Sequence, residues 1–172
     1  MIESTVDAHA LLKRLGASRR LLTHLQLVGE AADQLIQAYT DLQIPCDSKL
    51  ISLGVAVHDA GKILHADELD GPGSRHESAG EALLLSHGVQ SVVARCCVTH
   101  AVWQEPGVSF EERSVALADK LWKGKRVEEL EMMIIDEAAE RTGRDRWVLF
   151  TPLDSVFEQI ASEGPNRLAR SR

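Results

Sequence analysis

Apolar residues recur along this chain at steps of three and four. Leu21, Leu22, Leu25, Val28, Ala32, Leu35 and Ile36 keep to one face, so residues 18–39 read as one long amphipathic helix. Pro45 interrupts, and Asp47 or Ser48 can cap the next helix. Its mostly apolar end, residues 53–57, runs into His58-Asp59 and stops at Gly61. Residues 65–74 contain Asp67, Asp70, Gly71, Pro72 and Gly73, a loop by composition. Ser74-Arg75-His76-Glu77 has the form of a capping box, and Gly88 closes the helix it opens. A helix over residues 90–103 follows, then a loop around Glu105-Pro106-Gly107. A second capping box, Ser109-Phe110-Glu111-Glu112, opens a helix through Asp119 to Trp122. Residues 127–141 and 154–163 carry two more helical patterns, and only 146–150 has strand character. After Gly164-Pro165 the chain turns polar and basic. The expectation is an all-α bundle of six to eight helices, with one domain over residues 1–163 and a frayed tail over 164–172.

Composition changes this picture little. The chain has 172 residues, 44% hydrophobic and 26% charged, enough to bury a core. No apolar run nears the roughly 20 residues of a membrane span. The first residues lack the basic and apolar stretches of a signal peptide, so cytoplasmic residence is the default. Three cysteines, Cys46, Cys96 and Cys97, suggest no disulfide framework. A formal charge of −7 argues against a nucleic-acid polymer as partner. A small phosphorylated ligand stays open, because a metal centre and a few cations can dominate one pocket.

The candidate chemistry lies in residues that do not suit their surroundings. Of seven histidines, His9, His65 and His87 read as ordinary surface or core residues. His24 lies in the apolar stripe of the long helix. His58-Asp59 ends an apolar helix, His76 sits on the first turn of the next, and His100 falls in an apolar run. Asp119 lies in Val-Ala-Leu-Ala-Asp, where an ionised carboxylate is buried only if paired or metal-bound. Five successive helical segments thus each supply one or two such groups. A bundle core is where imidazoles and carboxylates converge on metal ions. Nitrogen and carboxylate donors without thiolate suit iron, manganese, zinc, cobalt or nickel.

The order His24, His58-Asp59, Asp119 resembles the HD-domain superfamily of metal-dependent phosphohydrolases, over residues 18–125. His58-Asp59-Ala60-Gly61-Lys62 is similar to the common form of its central motif. His76 and His100 resemble the two further histidines of its binuclear branch. The resemblance implies one divalent ion held by His24, His58, Asp59 and Asp119. Asp59 would bridge to a second ion held by His76 and His100. Iron or manganese are favoured, with zinc, cobalt, nickel or magnesium as alternatives. Among binuclear branches, the order is similar to that of symmetrical diadenosine tetraphosphate hydrolases, although the interval from His-Asp to His76 is short. Cyclic-dinucleotide phosphodiesterases carry a Gly-Tyr-Pro signature after this point, whereas here His100 is followed by Ala-Val-Trp-Gln-Glu-Pro-Gly.

The resemblance implies hydrolysis of a phosphate ester or anhydride, with a nucleotide as the expected substrate. Two ions and a bridging hydroxide would do the chemistry. Asp59 and Lys62 are the expected catalytic residues. Lys62, Arg75 and Lys120 are candidate phosphate contacts. Lys123, Lys125 and Arg126 are candidates for the entrance, and Trp103 for either base stacking or core packing. Two other classes fit the same residues: a mixed-valence di-iron oxygenase of the same fold, which cleaves a carbon bond with dioxygen, and a regulator that binds a nucleotide without turnover.

Overall fold

The computed structural model describes residues 1–172 and is helical throughout, with no strand. In chain order the helices are α1 (Thr5–Arg14), α2 (Arg19–Asp41), α3 (Ser48–Val57), α4 (Arg75–Ser86), α5 (Ser91–Ala94), α6 (Cys96–Thr99), α7 (Phe110–Leu121), α8 (Glu128–Thr142), α9 (Arg146–Ser162) and α10 (Gly164–Arg170). Two 3-10 turns, Ala60–Ile63 and Ala66–Leu69, fill the connection from α3 to α4. Apart from the single-turn α5 and α6, eight helices form the bundle, at the upper bound of the sequence expectation. No helix is long and apolar enough to cross a membrane.

Local chemistry explains most boundaries. Ser18 caps α2 by accepting from Leu21 N, Asp47 caps α3 through Leu50 N, and Ser109 with Glu112 completes the capping box of α7. The expected capping box of α4 is absent. Ser74 makes no side-chain cap bond, and the Arg75 and His76 N–H groups donate instead to the Glu68 carboxylate.

Four further segments depart from the sequence expectation. The pattern left residues 5–14 unassigned, yet Ser4 caps a helix there that buries Ala8, Leu11 and Leu12. The single helix expected over 90–103 breaks at Arg95. Thr99 Oγ1 and His100 Nδ1 donate to the Arg95 and Cys96 carbonyls, and the chain beyond winds in i→i+3 turns. Residues 146–150 are helical, not extended. Asp145 caps them, and Leu149, Leu153, Phe157 and Ile160 form one buried helical stripe across Pro152. Trp147 and Val148, which gave the strand character, point outward at 63% and 61% exposure. Residues 164–170 form α10 rather than a frayed tail. Arg167 is only 1% exposed, and its guanidinium donates to the Trp122 and Ile160 carbonyls and to Glu163 Oε2.

Two apolar clusters build the core. One joins the later part of α2 to α7, α8 and α9; the other joins α1, the start of α2, α3, α4 and α5. α3 contributes to both, and its last turn delivers His58 and Asp59 between them. The turn after Asp59 packs on α4 at backbone distance. A Cβ on Gly61 would lie 1.8 Å from the His76 carbonyl oxygen, so only glycine permits this approach. Gly80 faces Gly61 N from the other side, where a Cβ would lie at 2.8 Å. The paired glycines set the distance between Asp59 and His76.

Candidate metal centre

The Asp59 carboxylate stands at the middle of the site. Its Oδ2 lies 2.9 Å from His24 Nε2 and 3.5 Å from His58 Nε2, and its Oδ1 lies 3.3 Å from His76 Nε2 and 3.8 Å from His100 Nε2. Asp119 Oδ1 lies 3.3 Å from His58 Nε2. These contacts define two donor groups, His24–His58–Asp59–Asp119 and Asp59–His76–His100, whose ligand atoms lie within 4.8 Å of one another in each group. Asp59 belongs to both. His58, Asp59, His76 and His100 are buried, while His24 and Asp119 are partly open.

The outer nitrogens explain why the inner ones face a carboxylate. His58 Nδ1 donates to the Val55 carbonyl at 2.8 Å, His100 Nδ1 to the Cys96 carbonyl at 2.8 Å, and His76 Nδ1 to Glu68 Oε2 at 2.6 Å. An acceptor at Nδ1 assigns the hydrogen to that nitrogen and leaves a lone pair on Nε2. Lone pairs from several imidazoles then meet carboxylate oxygens in a largely buried site. Such an arrangement is repulsive unless a cation lies between them.

Proton energetics carry the same demand. Burial opposes charge on His58, but the Asp59 and Asp119 carboxylates outweigh it and push the imidazole up to about 9. Burial also opposes ionisation of Asp59 and Asp119, and the facing histidines nevertheless hold both below the usual carboxylate range. His100 is pushed down by burial and by the charge on His58. Metal binding at these donors would compete with protonation of His58, because the ligands bind deprotonated. The donor set, the shared carboxylate and the pre-set tautomers all fit divalent ions.

The centre opens into a cleft of about 480 Å³. Arg20, Lys62, Lys120 and Lys123 line it together with His24, Asp59, His76, His100 and Asp119. Leu69, Pro72, Trp122 and Leu168 supply apolar wall. Lys62 reaches back over the 3-10 turn to place Nζ 2.8 Å from Asp59 Oδ2. Lys120 is half-buried, and burial with neighbouring lysines lowers its pKa. On a chain of net charge −7, the cleft sets these four cations against four carboxylates, Asp59, Glu68, Glu77 and Asp119, so its lining is balanced where the chain as a whole is acidic.

Other candidates fall elsewhere. Arg75 is exposed, pairs with Asp67 and Glu68, and is not part of the cleft lining. Its position as the first residue of α4 turns it away while His76 turns inward. Lys125 and Arg126 do not line the cleft either; Arg126 is held by Glu131, Asp154 and Glu158. Trp103 is buried in the core. The aromatic wall is instead Trp122, whose ring stands edge-on to His24 at 4.9 Å. Sequence reasoning also missed Arg20, Glu68 and Leu168. Arg20 was accessible, since it precedes His24 by one helical turn on the same face. Glu68 and Leu168 carry no periodic signal.

The fold and the site together define an all-α protein with a buried His/Asp cluster able to hold metal ions. The chain matches no protein-family model, no curated protein and no solved structure.

Proposed function

We propose that this protein is a metal-dependent phosphohydrolase of the HD-domain type, acting on a phosphate ester or anhydride of a nucleotide. The observation that carries this reading is the division of Asp59 between two donor groups, one oxygen toward each. The order of the six donors along the chain resembles the binuclear branch of that superfamily, and their convergence supports the resemblance. Divalent ions bound there would supply a water acidified to near neutrality and would offset charge on phosphoryl oxygens. His24, His58, Asp59 and Asp119 would hold one ion, and Asp59, His76 and His100 the other.

The chain's own groups account for the remaining requirements. Lys120 and Lys123 give the cleft a positive wall for phosphate oxygens. Lys62, beside Asp59, can contact the reacting phosphate or give a proton to the departing oxygen. Trp122 and Leu168 offer an apolar surface of the kind a base needs. The helices that carry the donors are tied by core packing, which keeps substrate and donors in a fixed orientation.

The test is turnover. Protein loaded with manganese or iron is offered nucleoside phosphates and dinucleoside polyphosphates, and release of phosphate or nucleotide is followed. The expected result is hydrolysis that His58→Ala and Asp119→Ala abolish. Absence of hydrolysis across the panel, with substrate-dependent oxygen uptake by the iron form, would replace this reading with an oxygenase.

A further inference from the structure

Glu68 lies in the second 3-10 turn of the α3–α4 connection, yet it is only 3% exposed. Its Oε2 accepts from His76 N at 3.0 Å and His76 Nδ1 at 2.6 Å. Its Oε1 accepts from Arg75 N at 3.2 Å and Arg75 Nε at 2.9 Å. The two backbone N–H groups are unsatisfied donors of the first turn of α4. One carboxylate therefore caps the helix and grips the imidazole mounted on it. Gly73 closes over this carboxylate with φ of +152°, and a Cβ there would lie 2.4 Å from Glu68 Oε1.

The three inward-facing histidines with a partner at Nδ1 are not held alike. His58 and His100 donate to neutral backbone carbonyls, whereas His76 donates to an anion. A carboxylate behind a ligating imidazole fixes its tautomer and raises its basicity, and loss of such a partner commonly weakens metal binding. All four hydrogen bonds of Glu68 go to Arg75 and His76, and none reaches His24, His58 or Asp119.

We infer that Glu68 is a positioning residue that sets the affinity of the Asp59–His76–His100 group for its ion and leaves the His24–His58–Asp59–Asp119 group unaffected. The inference rests on the binuclear reading above. It also couples the second ion to the cleft wall, because Leu69, Pro72 and Gly73 flank Glu68 in the same connection and line the cleft. Ordering of this loop and occupancy of the second group then rise and fall together.

The test is a manganese titration of the metal-free full chain, with free ion followed by electron paramagnetic resonance. The native chain should show two classes of site, and His100→Ala identifies the class that belongs to the second group. Glu68→Gln, which replaces an acceptor oxygen by an amide, should weaken that class about 10- to 100-fold and leave the other unchanged. Gly73→Ala keeps the carboxylate but forces it aside, and should act in the same direction. Arg75→Ala removes the side-chain pairs to Asp67 and Glu68 Oε1 but keeps both Glu68–His76 bonds, and should alter neither class. A purely structural role would weaken both classes together in Glu68→Gln, and that result overturns the inference. Two classes in the native chain with unchanged binding in Glu68→Gln overturn the positioning role alone. A single class in the native chain overturns this inference and the binuclear reading together.

Discussion

Lys62 Nζ lies 2.8 Å from Asp59 Oδ2, on the carboxylate that both donor groups share. The pair spans one 3-10 turn, so the lysine cannot drift far from the centre. Its ammonium offsets charge that divalent ions would otherwise compensate, and on the phosphohydrolase reading it would contact the substrate's phosphate. Lys62→Met should therefore act in opposite directions on two measurements. Metal affinity should rise, since a competing cation is gone, while kcat/KM for a nucleotide substrate should fall about 100-fold. Isothermal titration with manganese and steady-state kinetics on the same preparation check both. A variant that loses metal instead would make Lys62 a structural support of the site.

The approach of Gly61 to α4 gives a prediction about architecture. Gly61→Ala would put a methyl 1.8 Å from the His76 carbonyl oxygen, against backbone that cannot rotate away. The turn bearing Asp59 and the helix bearing His76 must then separate. We expect a loss of about 3 kcal/mol or more, at the upper end for overpacking, seen as a lower midpoint in urea unfolding. Gly29→Ala is the control. No atom lies within 4 Å of its added Cβ, and in mid-helix it should stabilise by about 0.5–1 kcal/mol.

The two lysines of the cleft wall away from Asp59 predict a division between binding and chemistry. Lys120 and Lys123 line the cleft but make no contact with Asp59 within ion-pair distance. Replacing both with methionine should raise KM for a nucleoside polyphosphate about 10-fold and change kcat little, the mark of uniform binding. A small phosphate monoester offered in parallel, with fewer charges for the lysines to meet, should lose less. Equal losses on both substrates would mean that these lysines support the fold.

Acid stability depends on a group remote from the centre. Glu111 is buried and accepts from Asp47 N at 3.0 Å and from Arg141 Nη1 at 3.0 Å. Burial works against its charge, but Arg141 and the Asp47 amide hold the carboxyl below its ordinary value of 4.5. A lowered folded value means stability that is present above the unfolded value and lost as pH falls through the folded one. Arg141→Ala should cost about 1–3 kcal/mol at pH 7. The difference in melting temperature between the two proteins should shrink as pH drops below 4.5.

The helices most legible in the sequence are those with a long apolar stripe and a side-chain cap. α2 and α7 emerge within two residues of their observed bounds because Ser18 and Ser109 cap strong periodic runs. α10 was illegible because its anchor is Arg167, a residue type that reads as solvated until its guanidinium meets backbone carbonyls. α9 begins eight residues before the expected helix over 154–163, because the buried stripe from Leu149 to Ile160 continues through Pro152. At the site, the six donors stood out as polar residues in apolar or helical contexts, and the fold brings them into two adjoining groups. The groups that orient them are of another kind. Glu68 lies in a glycine-rich loop, and the Val55 and Cys96 carbonyls belong to backbone that no side-chain pattern marks.

On the binuclear reading Asp59 would serve two metal ions at once. The direct test of this reading is the metal content of manganese-loaded protein by elemental analysis, after removal of free ion, with circular dichroism to verify folding. The expected result is two ions per chain in the native protein, one in His76→Ala, and none retained in Asp59→Ala. A ratio in Asp59→Ala equal to that of the native protein would contradict it.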